Sequence, residues 1–208
     1  MHHAKDFASI PLPNFFDAIV VAVLIWGINK GRKHGMSEEL MATLQWIVIV
    51  VAGALLYKPF GDMLATTAPV SHLFCYITIY ITAAVITKTA FGVFKKAIGG
   101  KLVGSDVFGS AEYYLGMVAG AIRYSCMLIA ALAILHAPYY SAQDISTQQA
   151  YDNRWYGSDF FPRMYSVQDS IFKQSLIGSL ITQRAGVLLI AQTKTESVGL
   201  TRRKDELP

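Results

Sequence analysis

Four long runs of apolar residues dominate the hydropathy pattern of the chain. They cover Phe15–Ile28, Leu40–Tyr57, Val70–Phe94 and Tyr113–Leu135. A membrane-crossing helix needs about 20 mainly apolar residues, and these runs are too long for the strands of a membrane barrel. The pattern therefore predicts four transmembrane helices. The first run is short, and it can lengthen through Lys30 and Arg32, whose aliphatic stems snorkel along apolar layers.

The chain after the fourth run has a different pattern. Residues 138–169 are rich in Tyr, Trp and Phe, which favour the headgroup layer of a membrane, although a small packed subdomain would have the same composition. Residues 170–192 follow an amphipathic helical pattern. Its uninterrupted apolar stretches are too short to cross a membrane, so an interfacial or bundle-docked helix is expected. The predicted organisation is an N-terminal segment at 1–14, a four-helix domain at 15–138, an aromatic and amphipathic segment at 139–192, and a polar tail at 193–208.

Composition supports the membrane interpretation. Hydrophobic residues make up 53% of the 208 residues and charged residues only 15%, against roughly 25% charged in soluble domains. The mean hydropathy is +0.39. This composition excludes a disordered chain, and two cysteines cannot form a disulfide scaffold. The predicted fold class is an all-α integral membrane protein whose main partner is the lipid bilayer.

Within the predicted four-helix domain, the positive charges lie mainly in the two hairpin loops. The net charge of +4 is therefore expected to reflect membrane topology and not binding of nucleic acid. Basic residues favour the cytoplasmic side of a membrane, so both hairpin loops are predicted there and both termini outside. The residues concerned are Lys30, Arg32 and Lys33 in the first loop and Lys95, Lys96 and Lys101 in the second.

Residues of the kind that perform catalysis or bind metals are scattered. The five histidines lack the spacing of a zinc helix, and Cys75 and Cys126 lie in separate predicted helices. We expect no cofactor, no metal and no enzymatic activity.

Small residues and charges inside the predicted helices are the candidate contact sites. Glycines recur at intervals of four at Gly27, Gly31 and Gly35 and again at Gly116 and Gly120. Small residues at this spacing let two helices approach closely in lipid, although the pattern is common in membrane helices. Charged residues within spans are functional candidates, and Arg123 is the deepest of them. The others are Asp17, Lys88 and Glu112, which lie near helix ends and are expected to act mainly as anchors.

Three motifs in order resemble the colicin V production protein family of bacterial inner-membrane proteins. The first is an aspartate, Asp17, early in the first apolar run. The second, at 31–40, is similar to the family's G-x-x-x-G-x-x-x-E-L loop, and the third, at 112–123, to its acidic residue followed by L-G-x-x-x-G and an arginine. Matching residues in these two motifs are Gly31, Gly35, Glu39, Leu40, Glu112, Gly116, Gly120 and Arg123.

The resemblance covers residues 14–138 and implies a role in producing or exporting a peptide toxin and in envelope homeostasis. It implies no catalytic residue. The leading hypothesis is a non-enzymatic protein that acts through protein partners in the inner membrane or as a homo-oligomer. The alternative is a small transporter or channel subunit, in which self-association would line a pore with Asp17, Lys88 or Arg123.

Overall fold

Three long helices make up most of the fold. The computed structural model describes residues 13–67, 70–103, 109–141, 145–146 and 164–194. Helix α1 spans Phe15–Thr67, α2 spans His72–Val103, and α3 spans Glu112–His136 after a short 3₁₀ turn at Gly109–Ala111. All three are long and apolar enough to cross a membrane. The chain is an all-α membrane protein, with three long helices where the sequence predicted four.

Helix α1 is broken at one residue. Gly35 has φ 72° and ψ 172°, a backbone conformation essentially restricted to glycine. The predicted loop between the first two helices is therefore wrong, because helical structure continues on both sides of this single residue. We call residues 15–34 the first half of α1 and residues 36–67 its second half.

The two halves of α1 fold back on each other at Gly35. The Oγ of Ser175 donates to Asp17 Oδ1 at 2.7 Å, and the backbone N–H of Ala191 donates to Tyr57 OH at 3.2 Å. In a straight helix Asp17 and Tyr57 would lie about 60 Å apart. Because they contact the same short segment, 175–191, α1 must reverse its direction between them.

The second half of α1 continues beyond its predicted end. The sequence predicted that this span stops at Lys58 and Pro59, but Pro59 lies inside the helix, which ends at Thr67. Proline removes a helical hydrogen bond and usually bends or ends a helix. Here the ring of Tyr76 in α2 packs against both Tyr57 and Gly61, so contacts on each side of Pro59 hold the helix in place.

The C-terminal segment, residues 164–194, consists of short elements that close one end of the helices. A π-helical turn at Ser170–Gln174 follows α4, Met164–Asp169, and a 3₁₀ turn at Gly186–Leu188 follows α5, Leu176–Ala185. Strands β1, Pro138–Tyr139, and β2, Thr193–Lys194, pair in parallel. The predicted continuous amphipathic helix over 170–192 is wrong, because Ser175 is extended and its side chain accepts from Gly178 N to cap α5.

Several predicted segments fall outside the described residues. These are most of the N-terminal segment, most of the aromatic-rich segment between 142 and 163, and the tail after 194. Within the described part, the hydrophobic core lies where α1, α2 and α3 meet the C-terminal segment. Its most buried members include Tyr80, Leu132, Ala133, Leu189 and Ile190.

The fold-back of α1 predicts that Gly35 tolerates no side chain. A Cβ at Gly35 would impose strain at its positive φ and would meet Glu112 Cγ at 2.8 Å. Gly35→Ala should lower the free energy of unfolding in detergent by about 1–3 kcal/mol. Gly92→Ala is the control, because no atom lies within 4 Å of its added Cβ. That change should be neutral or stabilising by up to about 1 kcal/mol. Equal stability of the two variants would contradict the strain at Gly35.

A glycine seam and a buried ion pair between α1 and α3

The first half of α1 and α3 touch through their backbones. We call this contact the glycine seam; it consists of Gly27, Gly31 and Gly35 of α1 and Gly116 and Gly120 of α3. A Cβ built on Gly31 would collide with the carbonyl oxygen of Gly116, and one on Gly120 with that of Gly27, both well inside 3.0 Å. Only residues without a Cβ allow this approach, which is a common way for helices to associate in lipid.

Larger side chains close the two ends of the glycine seam. At the end of the seam farther from Gly35, a Cβ on Gly27 would lie 2.7 Å from Cδ2 of the Tyr124 ring. At the end near the reversal, Glu112 lies against Gly35. Contacts therefore run from Tyr124 to Glu112 along α3 as the chain advances from Gly27 to Gly35. The first half of α1 and α3 are antiparallel.

The second half of α1 is joined to α3 by polar bonds. Glu39 is only 3% exposed, and its Oε2 accepts from Arg123 Nη1 at 2.8 Å. His34 lies on the other side of this carboxylate, with Nδ1 3.5 Å from Oε1. One turn further along α1, the hydroxyl of Thr43 donates to the carbonyl oxygen of Ala119 at 3.1 Å. The acidic and basic residues that the sequence singled out separately thus form one buried ion pair.

Asp17 lies at the opposite end of the helices and joins α1 to the C-terminal segment. Its carboxylate accepts from Ser175 Oγ at 2.7 Å and from Ile177 N at 2.9 Å, and also from Asn14 N at 2.8 Å. It therefore caps the starts of both α1 and α5, where the helix dipole favours a negative charge. Asp17 is 7% exposed, so it does not snorkel to the surface as an anchor would.

Seven of the eight predicted contact residues come together in the structure. Asp17 is the exception, and Lys88 is exposed on α2. The seven residues that meet along α1 and α3 are Gly31, Gly35, Glu39, Glu112, Gly116, Gly120 and Arg123.

Sequence reasoning missed three contributors to these sites. Ser175 carried a usable signal, because serine directly before an apolar helical stretch is a typical N-cap. His34 and Thr43 carried none, since their importance comes only from partners on distant parts of the chain.

The ion pair generates a prediction about stability. Arg123→Gln leaves Glu39 buried without its cation and should lower the free energy of unfolding in detergent by about 3–5 kcal/mol. Glu39→Gln should cost less, because the Arg123 side chain is 22% exposed. The double variant should recover about 0.5–3 kcal/mol relative to additivity.

The control for this experiment is Lys173→Gln, which removes an exposed ion pair with Asp169. It should change the free energy of unfolding by less than about 1 kcal/mol. Strict additivity of the two single changes would show that Glu39 and Arg123 do not stabilise each other.

Comparison with known proteins identifies the family of the chain. The family model for colicin V production protein matches residues 16–169, which include nearly all of α1, the whole of α2 and α3, Asp17 and the Glu39–Arg123 ion pair. The match extends past residue 138, where the resemblance found in the sequence ended. Comparisons with curated proteins and with solved structures give no match. The chain belongs to the colicin V production protein family, and this membership supports a role in colicin V production.

Proposed function

We propose that this protein is a non-enzymatic inner-membrane protein that supports the production or export of a colicin V-type peptide toxin and contributes to envelope homeostasis. It acts by binding protein partners or a second copy of itself. The family match supports the link to toxin production, and the geometry of α1 and α3 supports the mode of action.

Four membrane crossings fit the fold-back of α1. Its first half is about 30 Å long and its second half about 48 Å, so each can cross a hydrocarbon layer of about 30 Å. The reversal at Gly35 places Lys30, Arg32 and Lys33 at one end of the helices. Asp17 and the C-terminal segment lie at the other end. This separation favours a cytoplasmic reversal and termini outside the cytoplasm.

The closed contact between α1 and α3 is the observation that carries the mode of action. Backbones meet along the glycine seam, and the charges of Glu39 and Arg123 are paired inside the bundle. Polar residues of these spans are thus used for packing and do not line a passage within one chain. The outer faces of the helices remain available to partners. Helix α2 has the largest exposed share of the three, since only 11% of its most apolar 18-residue stretch is buried.

The topology can be tested with fusions to alkaline phosphatase, which is active only outside the cytoplasm. A fusion at Pro208 should be active, and a fusion at Lys96 should be inactive. The opposite result at both positions would reverse the proposed orientation, and activity at both would contradict the four-crossing arrangement.

The function can be tested in a bacterium that makes a colicin V-type peptide. Removal of this protein should lower the amount of toxin outside the cell, and the toxin inside should be retained where the role is in export. An equal loss inside and outside would place the role in synthesis instead. The measurement is the amount of mature peptide in each fraction.

Reconstitution distinguishes this proposal from the transporter alternative. Vesicles containing the purified protein should show no more ion or peptide flux than empty vesicles. Flux that Arg123→Ala abolishes and Lys88→Ala preserves would overturn the proposed mode of action in favour of a channel.

A further inference from the structure

A groove with basic residues at its mouth lies beside the glycine seam. It has a volume of about 840 Å³ and is lined by residues of the first half of α1 and of α3. We call it the basic groove; its walls include Trp26, Arg32 and Lys33 of α1 and Tyr113, Tyr114 and Met117 of α3.

The basic groove changes in polarity along its length. Lys33 and Tyr113 lie beside Gly35 and Glu112, which touch each other at the reversal of α1. Trp26 lies two turns deeper, about 10 Å away along the helix, with its ring centroid 6.0 Å from that of Tyr124. Met117 lies one turn deeper than Tyr113. The mouth is therefore cationic and hydroxylated, the far end at Trp26 and Met117 is aromatic and apolar, and Asn29 lies between them.

The positive charge at the mouth is uncompensated. Arg32 and Lys33 are exposed, and neither forms an ion pair with any residue in the described part of the chain. Of the carboxylates at the reversal of α1, Glu39 is engaged by Arg123, and Glu112 lies against Gly35 without an ion pair to Arg32 or Lys33. An anionic group at the mouth would therefore gain two cations without displacing an existing partner.

Apolar side chains next in sequence to lining residues of the basic groove are exposed. Ile25 is 54% exposed on α1 and Val118 is 57% exposed on α3, as expected for faces in contact with acyl chains. A ligand that enters sideways from this surface must itself be apolar over most of its length.

We propose that the basic groove binds one anionic phospholipid. Its phosphate would lie between Arg32 and Lys33 at the mouth, and an acyl chain would lie along Trp26 and Met117. Basic pockets between transmembrane helices bind anionic headgroups in this way, and Tyr and Trp favour the same membrane depth. The proposal rests on the membrane crossing of α1 proposed above.

Native mass spectrometry of the full chain in mild detergent tests this site. The probes are phosphatidylglycerol and phosphatidylcholine with identical acyl chains. The parent protein should bind phosphatidylglycerol more tightly. The variant R32Q/K33Q should bind it about 25-fold more weakly, since each basic residue near an anionic surface contributes roughly fivefold.

Two matched variants make the test specific. K95Q/K96Q removes two exposed lysines near the end of α2 that do not line the groove, and it should retain the parent's affinity within about twofold because only the groove charges contact the lipid. R32K/K33R keeps both charges and should also retain the preference. A folding defect in the glutamine variant would appear as loss of binding to both lipids.

Three results would overturn the proposal. One is equal binding of the two lipids by the parent, and another is an equal loss in R32Q/K33Q and K95Q/K96Q, which would indicate general surface charge. The third is displacement of phosphatidylglycerol by millimolar inorganic phosphate, which would indicate a small-anion site. Because the phosphatase fusions and toxin measurements do not depend on lipid selectivity, failure here leaves the proposed function standing.

Discussion

The backbone contact between the first half of α1 and α3 is the constraint on which the rest of the structure depends. Lipid chains are as apolar as leucine, so burial of apolar side chains does not draw two helices together within a membrane. Close packing must supply the attraction, and Gly31 and Gly116 allow it by bringing carbonyl groups against the facing helix. This backbone contact holds α3 against α1, and the polar contacts add to it.

The second half of α1 depends on this contact. The reversal at Gly35 returns the chain toward α3, where Glu39 meets Arg123 and Thr43 meets the carbonyl of Ala119. A buried carboxylate is costly unless it is paired, so the second half cannot rotate away from α3 without exposing Glu39 to an apolar layer. The glycines therefore set the distance between the helices, and the ion pair sets the rotation of the returning half.

The sequence predicted what depends on length and local spacing. The apolar runs located all the long helices, and the four-residue spacing of glycine located the seam. What it could not predict depends on backbone geometry or on distant partners. Nothing in the sequence distinguished Gly35, the only seam glycine with a positive φ, from Gly31. Pro59 is normally a stop signal and is overridden by Tyr76, and Asp17 gains its role from Ser175, 158 residues away.

The polar contacts at the two ends of the bundle differ in what they join. At the Asp17 end, one carboxylate binds the starts of two helices, so it ties the C-terminal segment to the first residues of α1. At the reversal, the charged residues divide between inside and outside: Glu39 turns inward to Arg123, while Arg32 and Lys33 face outward. An inward cation at this reversal would compete with Arg123 for Glu39. The outward cations have no ion-pair partner in the described part of the chain, as the proposed lipid site requires.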